Sequence, residues 1–264
     1  MPTQKSEAFR ALHHAPRAFI IPNPWDIGTA KLLAGMGFQA LATTSAGYAY
    51  TRGLSDYQVG RDQMLAHIKE LAAATDLPVS ADMESGYADT LDGIAETYRL
   101  TAQAGAVGAS IEDATGRADD PIFDPVEAVR ALPAPFTLTA RAENHLHGRS
   151  DLNDTIRRLQ AYQEAGADVL YAPGLRTREE IQAVVSSVDR PVNVLMGAPG
   201  LRLSVDELSE IGVKRISVGS ALSRAAFGAF LRAGREMAER GTFTFGEDAV
   251  SYADMARLLG PRPS

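Results

Sequence analysis

The sequence predicts a (β/α)8 barrel, and three observations carry this prediction: the length, the short apolar segments, and the amphipathic stretches between them. The chain has 264 residues, and single barrels of about 250 residues are common. Eight apolar segments of about four to eight residues recur every 25–35 residues, each preceded by a turn signal such as Leu-Pro or Gly-Ala-Val. Their continuous apolar character is typical of parallel strands that are buried on both faces.

The predicted strands and helices alternate along the chain. The strands lie at residues 19–23, 40–45, 78–84, 108–113, 136–143, 168–173, 192–197 and 215–220. Apolar residues at helical spacing predict helices at 25–36, 57–74, 90–104, 151–165, 177–188 and 204–211. Several helices end in a small residue and a glycine, which supplies a left-handed helix cap before the next strand. This alternation favours a closed barrel, and an open doubly wound sheet is the alternative.

Nothing in the sequence marks a boundary between domains. We predict one domain over residues 1–264, with an N-terminal segment and barrel core over about 1–220 and C-terminal helices over about 221–264. The last part reads as a long helix followed by a second short one at 250–259. It carries more apolar residues than one barrel-facing stripe needs, which predicts packing against another subunit. These residues are Ala225, Phe227, Phe230, Leu231 and Met237.

Composition excludes several classes of function. The sequence has no cysteine, which rules out disulfides, thiolate nucleophiles, Cys-ligated zinc and iron–sulfur clusters. Its net charge is −7, without a basic stripe, and nucleic-acid binding needs a cationic surface. The N-terminal residues are too polar for a signal peptide, and no apolar run approaches the roughly 20 residues of a membrane span. We therefore predict a cytoplasmic protein that binds neither nucleic acid nor membrane.

Carboxylates collect at the predicted C-terminal ends of the strands, where barrel enzymes have their active sites. Asp82 and Glu84 are two residues apart on a strand, so both side chains point to the same side. Glu112 ends the neighbouring strand, and Asp56 lies in the loop after strand 2. Oxygen ligands without His or Cys favour Mg²⁺, with Mn²⁺ as an alternative, over zinc. The competing interpretation is that these acids cap helices or pair with arginines.

Two further groups are candidates for binding a substrate anion. Arg141, at the end of strand 5, could hold a substrate carboxylate through a bidentate pair. The alternative is that it neutralises Glu112 or Glu143, and both roles can hold together. Thr44, Ser45 and Ala46 form a small-residue turn whose backbone N–H groups could face an oxyanion, although a plain strand-to-loop turn would look the same.

The histidines and one polar loop complete the candidates. His13 and His14 are expected at the surface, whereas His145 and His147 follow strand 5 and lie near the predicted mouth. The polar segment 114–121 sits over that mouth. It suits a mobile lid, and an ordinary solvated loop is the alternative.

At these residues the sequence resembles the isocitrate lyase and phosphoenolpyruvate mutase superfamily over nearly the whole chain. The motifs that carry the resemblance are TTSAG…GLSD (43–56), SADMESGY (80–87), GASIED (108–113), LTARAE (138–143), AGADVLYAPGL (165–175) and PVNVLMG (191–197).

The resemblance implies a role for each candidate. Asp82 would contact Mg²⁺ directly, and three other acids would hold it largely through water: Asp56, Glu84 and Glu112. Arg141 would bind the substrate carboxylate, and its oxyanion would be cradled by Thr44, Ser45 and Ala46. Asn193 falls where lyase members use a substrate-contacting asparagine. The family also implies a homotetramer built from paired subunits that exchange terminal helices.

Departures from the family pattern narrow the expected activity to a branch other than isocitrate lyase. The Lys-Arg-Cys-Gly-His lid of isocitrate and methylisocitrate lyases is absent, as is the Lys-Thr-Asn lid of phosphonate-metabolising members, and Pro173 stands where the family often has His or Glu. We expect a Mg²⁺-dependent carbon–carbon lyase or decarboxylase that acts on a small 2-oxo or 2-hydroxy acid through an enolate. The alternatives are a phosphonate P–C bond mutase or hydrolase and a catalytically lapsed barrel that binds a keto acid. The group that protonates the enolate is left open between bound water and three side chains: Tyr48, His145 and Arg117.

Overall fold

A computed structural model describes residues 3–117, 119, 122–124, 126–131 and 136–260. Its strands are β1 (Phe19–Ile21), β2 (Leu41–Ala42), β3 (Val79–Asp82), β4 (Gly108–Glu112), β5 (Thr137–Arg141), β6 (Val169–Tyr171), β7 (Val192–Leu195) and β8 (Arg215–Ser217). They form one parallel sheet in the order β1-β8-β7-β6-β5-β4-β3-β2. The N–H of Ala42 donates to the carbonyl of Pro22 at 3.1 Å, which links β2 to the end of β1. The predicted (β/α)8 barrel is therefore confirmed.

Helices surround the barrel. They are α1 (Gln4–Leu12), α2 (Ile27–Gly35), α3 (Ser45–Thr51), α4 (Arg61–Ala74), α5 (Leu91–Gln103), α6 (Val126–Ala131), α7 (Leu152–Ala165), α8 (Arg178–Ser186), α9 (Val205–Ile211), α10 (Ala221–Arg240) and α11 (Tyr252–Leu259). All six helices predicted between strands are present, although α4 begins at Arg61, four residues later than predicted, with Gly60 as its N-cap. The predicted left-handed glycine caps are found at Gly166 (φ 112°) and Gly212 (φ 100°).

The C-terminal helices leave apolar side chains exposed. Phe230 of α10 and Phe243 after it are 72% and 70% exposed, and Tyr252 of α11 is 98% exposed. The packing of this surface against another subunit, and the exchange of helices between subunits, remain predictions. No helix in the described part of the chain combines the length and the apolar character that crossing a membrane requires.

The prediction that His13 lies at the surface was wrong. The unpredicted helix α1 packs against the barrel, so that His13 is only 3% exposed. Its Nδ1 lies 2.9 Å from the carbonyl oxygen of Phe9. The imidazole makes edge-to-face contacts with the rings of Phe9 and Phe19, at 4.8 and 5.0 Å between centroids. Burial, together with the charge of Arg215, lowers the pKa of His13 from 6.5 to about 3.

This buried histidine predicts a loss of stability in mild acid. Between pH 6.5 and about 3 the unfolded chain protonates His13 whereas the folded protein does not, so the free energy of unfolding falls as the pH falls through that window. In His13→Gln, the free energy of unfolding measured with urea should decline less steeply between pH 7.5 and 4.5. Its slope against pH should correspond to up to about one bound proton fewer than in the wild type. His14→Gln is the matched control, since His14 is exposed. Equal pH dependence in the wild type and His13→Gln would contradict the assignment.

Candidate active site

A cavity of about 290 Å³ opens at the C-terminal ends of the strands. This is the position predicted for the site, because parallel strands that are closed into a barrel bring their carboxyl ends to one rim. Seven of the predicted site residues line the cavity: Thr44, Ser45, Ala46, Asp56, Asp82, Glu112 and Arg141. The carboxylates and the arginine therefore do converge.

Asp82, the last residue of β3, is held at the centre of the acidic side. Its Oδ2 accepts hydrogen bonds from the backbone N–H and the hydroxyl of Ser45, both at 2.9 Å. Its Oδ1 accepts from Ser110 Oγ at 3.3 Å and from Arg141 Nη1 at 2.9 Å. The predicted turn at 44–46 is the start of α3, with Thr44 as its N-cap. The N–H of Ser45 thus orients a carboxylate in this structure.

Arg141, the last residue of β5, pairs with three carboxylates. Its Nη1 lies 2.9 Å from Asp82 Oδ1 and 3.0 Å from Glu112 Oε2, while Nη2 lies 2.7 Å from Glu143 Oε1. The β4–β5 register sets Glu112 directly beside Arg141. The guanidinium also stacks 5.0 Å from the centroid of the Tyr171 ring. Arg141 therefore pairs with Glu112 and Glu143, as the alternative interpretation of the sequence expected, and it also pairs with Asp82.

The rim nevertheless carries more acid than base. Among the described residues, Arg141 alone makes ion pairs with this group of five carboxylates: Asp56, Asp82, Glu84, Glu112 and Glu143. Burial raises the pKa of Glu112 well above its usual range, against the opposing charge of Arg141. Burial and then the charge of Asp82 raise the pKa of Glu84 to about 8. Such a group must hold protons or bind a cation.

These carboxylates fit a hydrated divalent cation. Their donors are all oxygens, the ligands that Mg²⁺ prefers, and Oε1 of Glu84 is buried without a hydrogen-bond partner in the described part of the chain. No three His, Asp or Glu side chains of the described residues converge as direct ligands of one ion. Mg²⁺ usually keeps several waters and uses only one or two carboxylates. A single direct ligand, Asp82, with the other acids acting through water is compatible with this geometry.

Three predicted residues lie behind the cavity wall rather than on it. Glu84 is 7% exposed and has a positive φ of 48°. Tyr48 stacks on His67 with 3.9 Å between ring centroids. Asn193 is 1% exposed, and its carboxamide is engaged by two neighbours on the next strand. The functional roles assigned to these residues remain predictions.

Tyr57 is a wall residue that the sequence did not single out. Its hydroxyl donates a hydrogen bond to Oε1 of Glu112, and its backbone has a positive φ of 62°. A Cβ at Gly116 would lie 3.1 Å from the Tyr57 ring, so the start of the predicted lid rests on this side chain. Ala118, Asp120 and Pro121 of that lid lie outside the described residues. The sequence feature that could have identified Tyr57 is its position next to Asp56.

Further polar wall residues were also missed, among them Ser110, Tyr171, Arg215 and Ser217. These four come from strands, where every second residue faces the same side. Ser110 is two residues before Glu112, and Arg215 and Ser217 are two apart on β8. Period-two counting back from the strand ends could have identified them. His147 also lines the cavity, whereas Nε2 of His145 is buried without a partner among the described residues.

Comparison with known proteins identifies a family and several relatives. The family model for phosphoenolpyruvate phosphomutase matches residues 9–238. A crystallised protein of Burkholderia cenocepacia J2315, assigned as a lyase/mutase, is 60% identical, with a TM-score of 0.94 over 98% of this chain and 96% of the other. The 2-methylisocitrate lyase of Bacillus subtilis (strain 168) is 27% identical over 95% of this chain and 90% of its own. An oxaloacetate decarboxylase of Bradyrhizobium diazoefficiens is 32% identical over 52% of this chain and 51% of its own.

The family match covers most of the barrel, including every strand and every carboxylate of the rim. The chain therefore belongs to the phosphoenolpyruvate phosphomutase family, within the isocitrate lyase and phosphoenolpyruvate mutase superfamily.

Proposed function

We propose that the protein is a Mg²⁺-dependent carbon–carbon lyase or decarboxylase that acts on a small 2-oxo or 2-hydroxy acid through an enolate. The observation that carries the proposal is the surplus of buried carboxylates around a single paired guanidinium at the barrel mouth. Burying these carboxylates without enough positive charge costs folding stability, and a bound cation would offset that cost. Similarity to a 2-methylisocitrate lyase and to an oxaloacetate decarboxylase supports the same class of reaction.

The rim carboxylates would hold the cation. Asp82 is the proposed direct ligand, because it is the acid that the Ser45 N–H and hydroxyl orient from one side. Asp56, Glu84 and Glu112 would act largely through water. When bound, Mg²⁺ would serve as a Lewis acid that shares the charge of the enolate. Mn²⁺, which has similar ligand preferences, is the expected substitute.

Arg141 would bind the substrate carboxylate. In this structure its Nη1 contacts both Asp82 and Glu112, whereas Nη2 and Nε both face Glu143. If Asp82 and Glu112 turn toward a cation, Nη1 becomes available to a substrate anion while Glu143 still holds the rest of the guanidinium. Thr44, Ser45 and Ala46 lie on the same wall and would contact the oxyanion. Among side chains near the mouth, His147 has a position from which it could deliver a proton.

The test of this function is turnover of oxaloacetate to pyruvate, with and without Mg²⁺. We expect turnover that requires the metal, and competitive inhibition by oxalate, which resembles the enolate of pyruvate. Binding of oxalate without turnover would move the search to substituted malates. Absence of both turnover and oxalate binding across metal concentrations would contradict the proposal and favour a lapsed barrel.

Cleavage of a P–C bond is the second candidate, favoured by the family model that matches. It would use the same carboxylates and Arg141, because a phosphonopyruvate presents the same 2-oxo acid group. Following phosphonopyruvate by ³¹P NMR with Mg²⁺ separates the two. Release of phosphate or formation of a phosphate ester would support this candidate, and an unchanged spectrum beside active oxaloacetate turnover would exclude it.

A further inference from the structure

We propose that Arg215 forms a second anion-binding subsite at the inner end of the cavity and selects substrates that carry a carboxylate at the far end from the 2-oxo acid group. This inference rests on the proposed function and deepens it by naming the substrate class. The predicted class is a small dicarboxylate, such as oxaloacetate or a substituted malate, in preference to a monocarboxylate.

Arg215 is placed to reach the cavity from inside the barrel. It is the first residue of β8, two residues before Ser217, so both side chains face the barrel interior. It is 5% exposed, and it lines the same cavity as Asp82 and Arg141. Since Ser217 lies nearer the carboxyl end of the strand, Arg215 occupies the deeper position.

The guanidinium of Arg215 is incompletely paired. Its Nε donates to Asn193 Oδ1 at 2.9 Å, whereas Nη1 is buried and has no hydrogen-bond partner among the residues that the structure describes. In the part of the chain that the structure describes, no carboxylate makes an ion pair with it. Buried arginines are normally paired with an anion. Burial lowers the pKa of Arg215 to about 10, and the charge of Arg141 adds to the effect.

The two arginines of the cavity therefore differ in charge balance. Arg141 contacts three carboxylates on the side formed by β3, β4 and β5. Arg215, on β8, has a neutral amide as the hydrogen-bond partner of its guanidinium and no carboxylate among the described residues. A ligand whose 2-oxo acid group lies at the acidic, cation-binding side would present a distal carboxylate to the unpaired cation. This polarity supports a substrate with anionic groups at both ends.

Asn193 would act as a positioning residue for this subsite. Its carbonyl oxygen accepts from Arg215 Nε, and its amide nitrogen donates to Ser217 Oγ at 2.9 Å. Since Asn193 is opposite Arg215 in the β7–β8 register, the carboxamide holds the guanidinium at Nε and leaves Nη1 for a ligand. The asparagine predicted to contact substrate would then act through Arg215.

The test compares ligands that share a 2-oxo acid or chelating group and differ at the distal end. Isothermal titration calorimetry in the presence of Mg²⁺ would measure the binding of three ligands: pyruvate, 3,3-difluorooxaloacetate and oxalate. Each would be titrated into the wild type, Arg215→Met and Arg215→Lys. Arg17→Met, which removes an arginine from a surface pair with Asp206, is the control. We expect Arg215→Met to weaken the binding of difluorooxaloacetate by about 30-fold or more, the equivalent of losing one partner of a desolvated charge pair. The affinities for pyruvate and oxalate should change by less than about threefold.

Stability measurements separate a binding role from a structural one. If Arg215 serves a ligand, Arg215→Met keeps the apolar stem, removes an unpaired buried charge, and should melt at the same temperature as the wild type or higher. Arg215→Lys retains the charge without the planar fork and should bind difluorooxaloacetate with intermediate affinity.

Several outcomes would overturn the subsite. These are equal weakening of pyruvate and difluorooxaloacetate in Arg215→Met, unchanged affinity for difluorooxaloacetate, or a wild type that binds both 2-oxo acids equally. If Arg215→Met does not fold, an affinity for difluorooxaloacetate in Arg215→Lys equal to that of the wild type would overturn it. Failure of the proposed function looks different: oxaloacetate would not be turned over, whereas difluorooxaloacetate would still bind in an Arg215-dependent way.

Discussion

Replacement of Arg141 by methionine is expected to destabilise the folded protein by about 3–5 kcal/mol, the usual cost of leaving a buried ion pair without one partner. Three largely buried carboxylates would lose their shared cation: Asp82, Glu112 and Glu143. Urea unfolding followed by circular dichroism in metal-free buffer at pH 7.5 would measure the loss.

Arg17→Met provides the control for this experiment. Arg17 and Asp206 form a pair at 2.8 Å with side chains 66% and 75% exposed, and surface pairs contribute about 0–1 kcal/mol. The same Arg141 variant should bind oxalate more weakly by about 2–5 kcal/mol. An Arg141→Met protein as stable as the wild type would mean that the carboxylates are neutralised by protons rather than by this guanidinium.

Replacement of Asp82 by asparagine is expected to reduce metal-dependent turnover by about 100-fold or more, since even the loss of an outer-shell partner often costs 10–100-fold. The fold should persist, because asparagine has nearly the same shape and the change removes one charge from a crowded acidic group. Its carboxamide oxygen can still accept from Ser45 or from Arg141, which bond to different oxygens of Asp82. Initial rates across a Mg²⁺ titration, together with thermal melting, would measure both effects.

Asp206→Asn is the matched control for the same chemical change on the surface, where Asp206 side-chain exposure is 75%. It should leave turnover unchanged. Wild-type activity in Asp82→Asn would remove Asp82 from the metal site. Reduced activity that accompanies loss of the folded state would instead assign it a structural role.

The strands were predictable because burial on both faces demands continuous apolar residues, a pattern that does not depend on the rest of the fold. Helix α3 was not predicted, since seven residues of SAGYAYT are too few to show a period of 3.6. Helix α1 was overlooked in a polar N-terminal segment, and with it the burial of His13. In both cases tertiary packing, rather than local pattern, decides the structure.

The positions of the acidic residues followed from topology, since any residue at the C-terminal end of a barrel strand reaches the mouth. Their partners did not. The pairing of Arg141 with Glu112 depends on the β4–β5 register, and that with Glu143 depends on side-chain rotamers. Tyr48 and Asn193 were predicted near the mouth, but sequence position alone does not reveal that each packs behind the wall.

Arg215 illustrates a different limit. A charged residue at the start of an apolar segment reads as the edge of a turn, although counting back by two from Ser217 gives its inward orientation. The absence of an ion pair for this arginine among the described residues is a property of the folded barrel. Local sequence carries no signal for what a side chain fails to contact.

Metal-dependent binding of oxalate tests the central claim most directly, because it requires the rim carboxylates and a bound cation but not the correct substrate. Calorimetric titration of oxalate into the wild type should show one site per chain in the presence of Mg²⁺ and no binding after the metal is chelated. In Asp82→Asn that binding should be lost at the same Mg²⁺ concentration. Oxalate binding of equal strength without metal, or undiminished in Asp82→Asn, would contradict the account of a carboxylate-held cation at this barrel mouth.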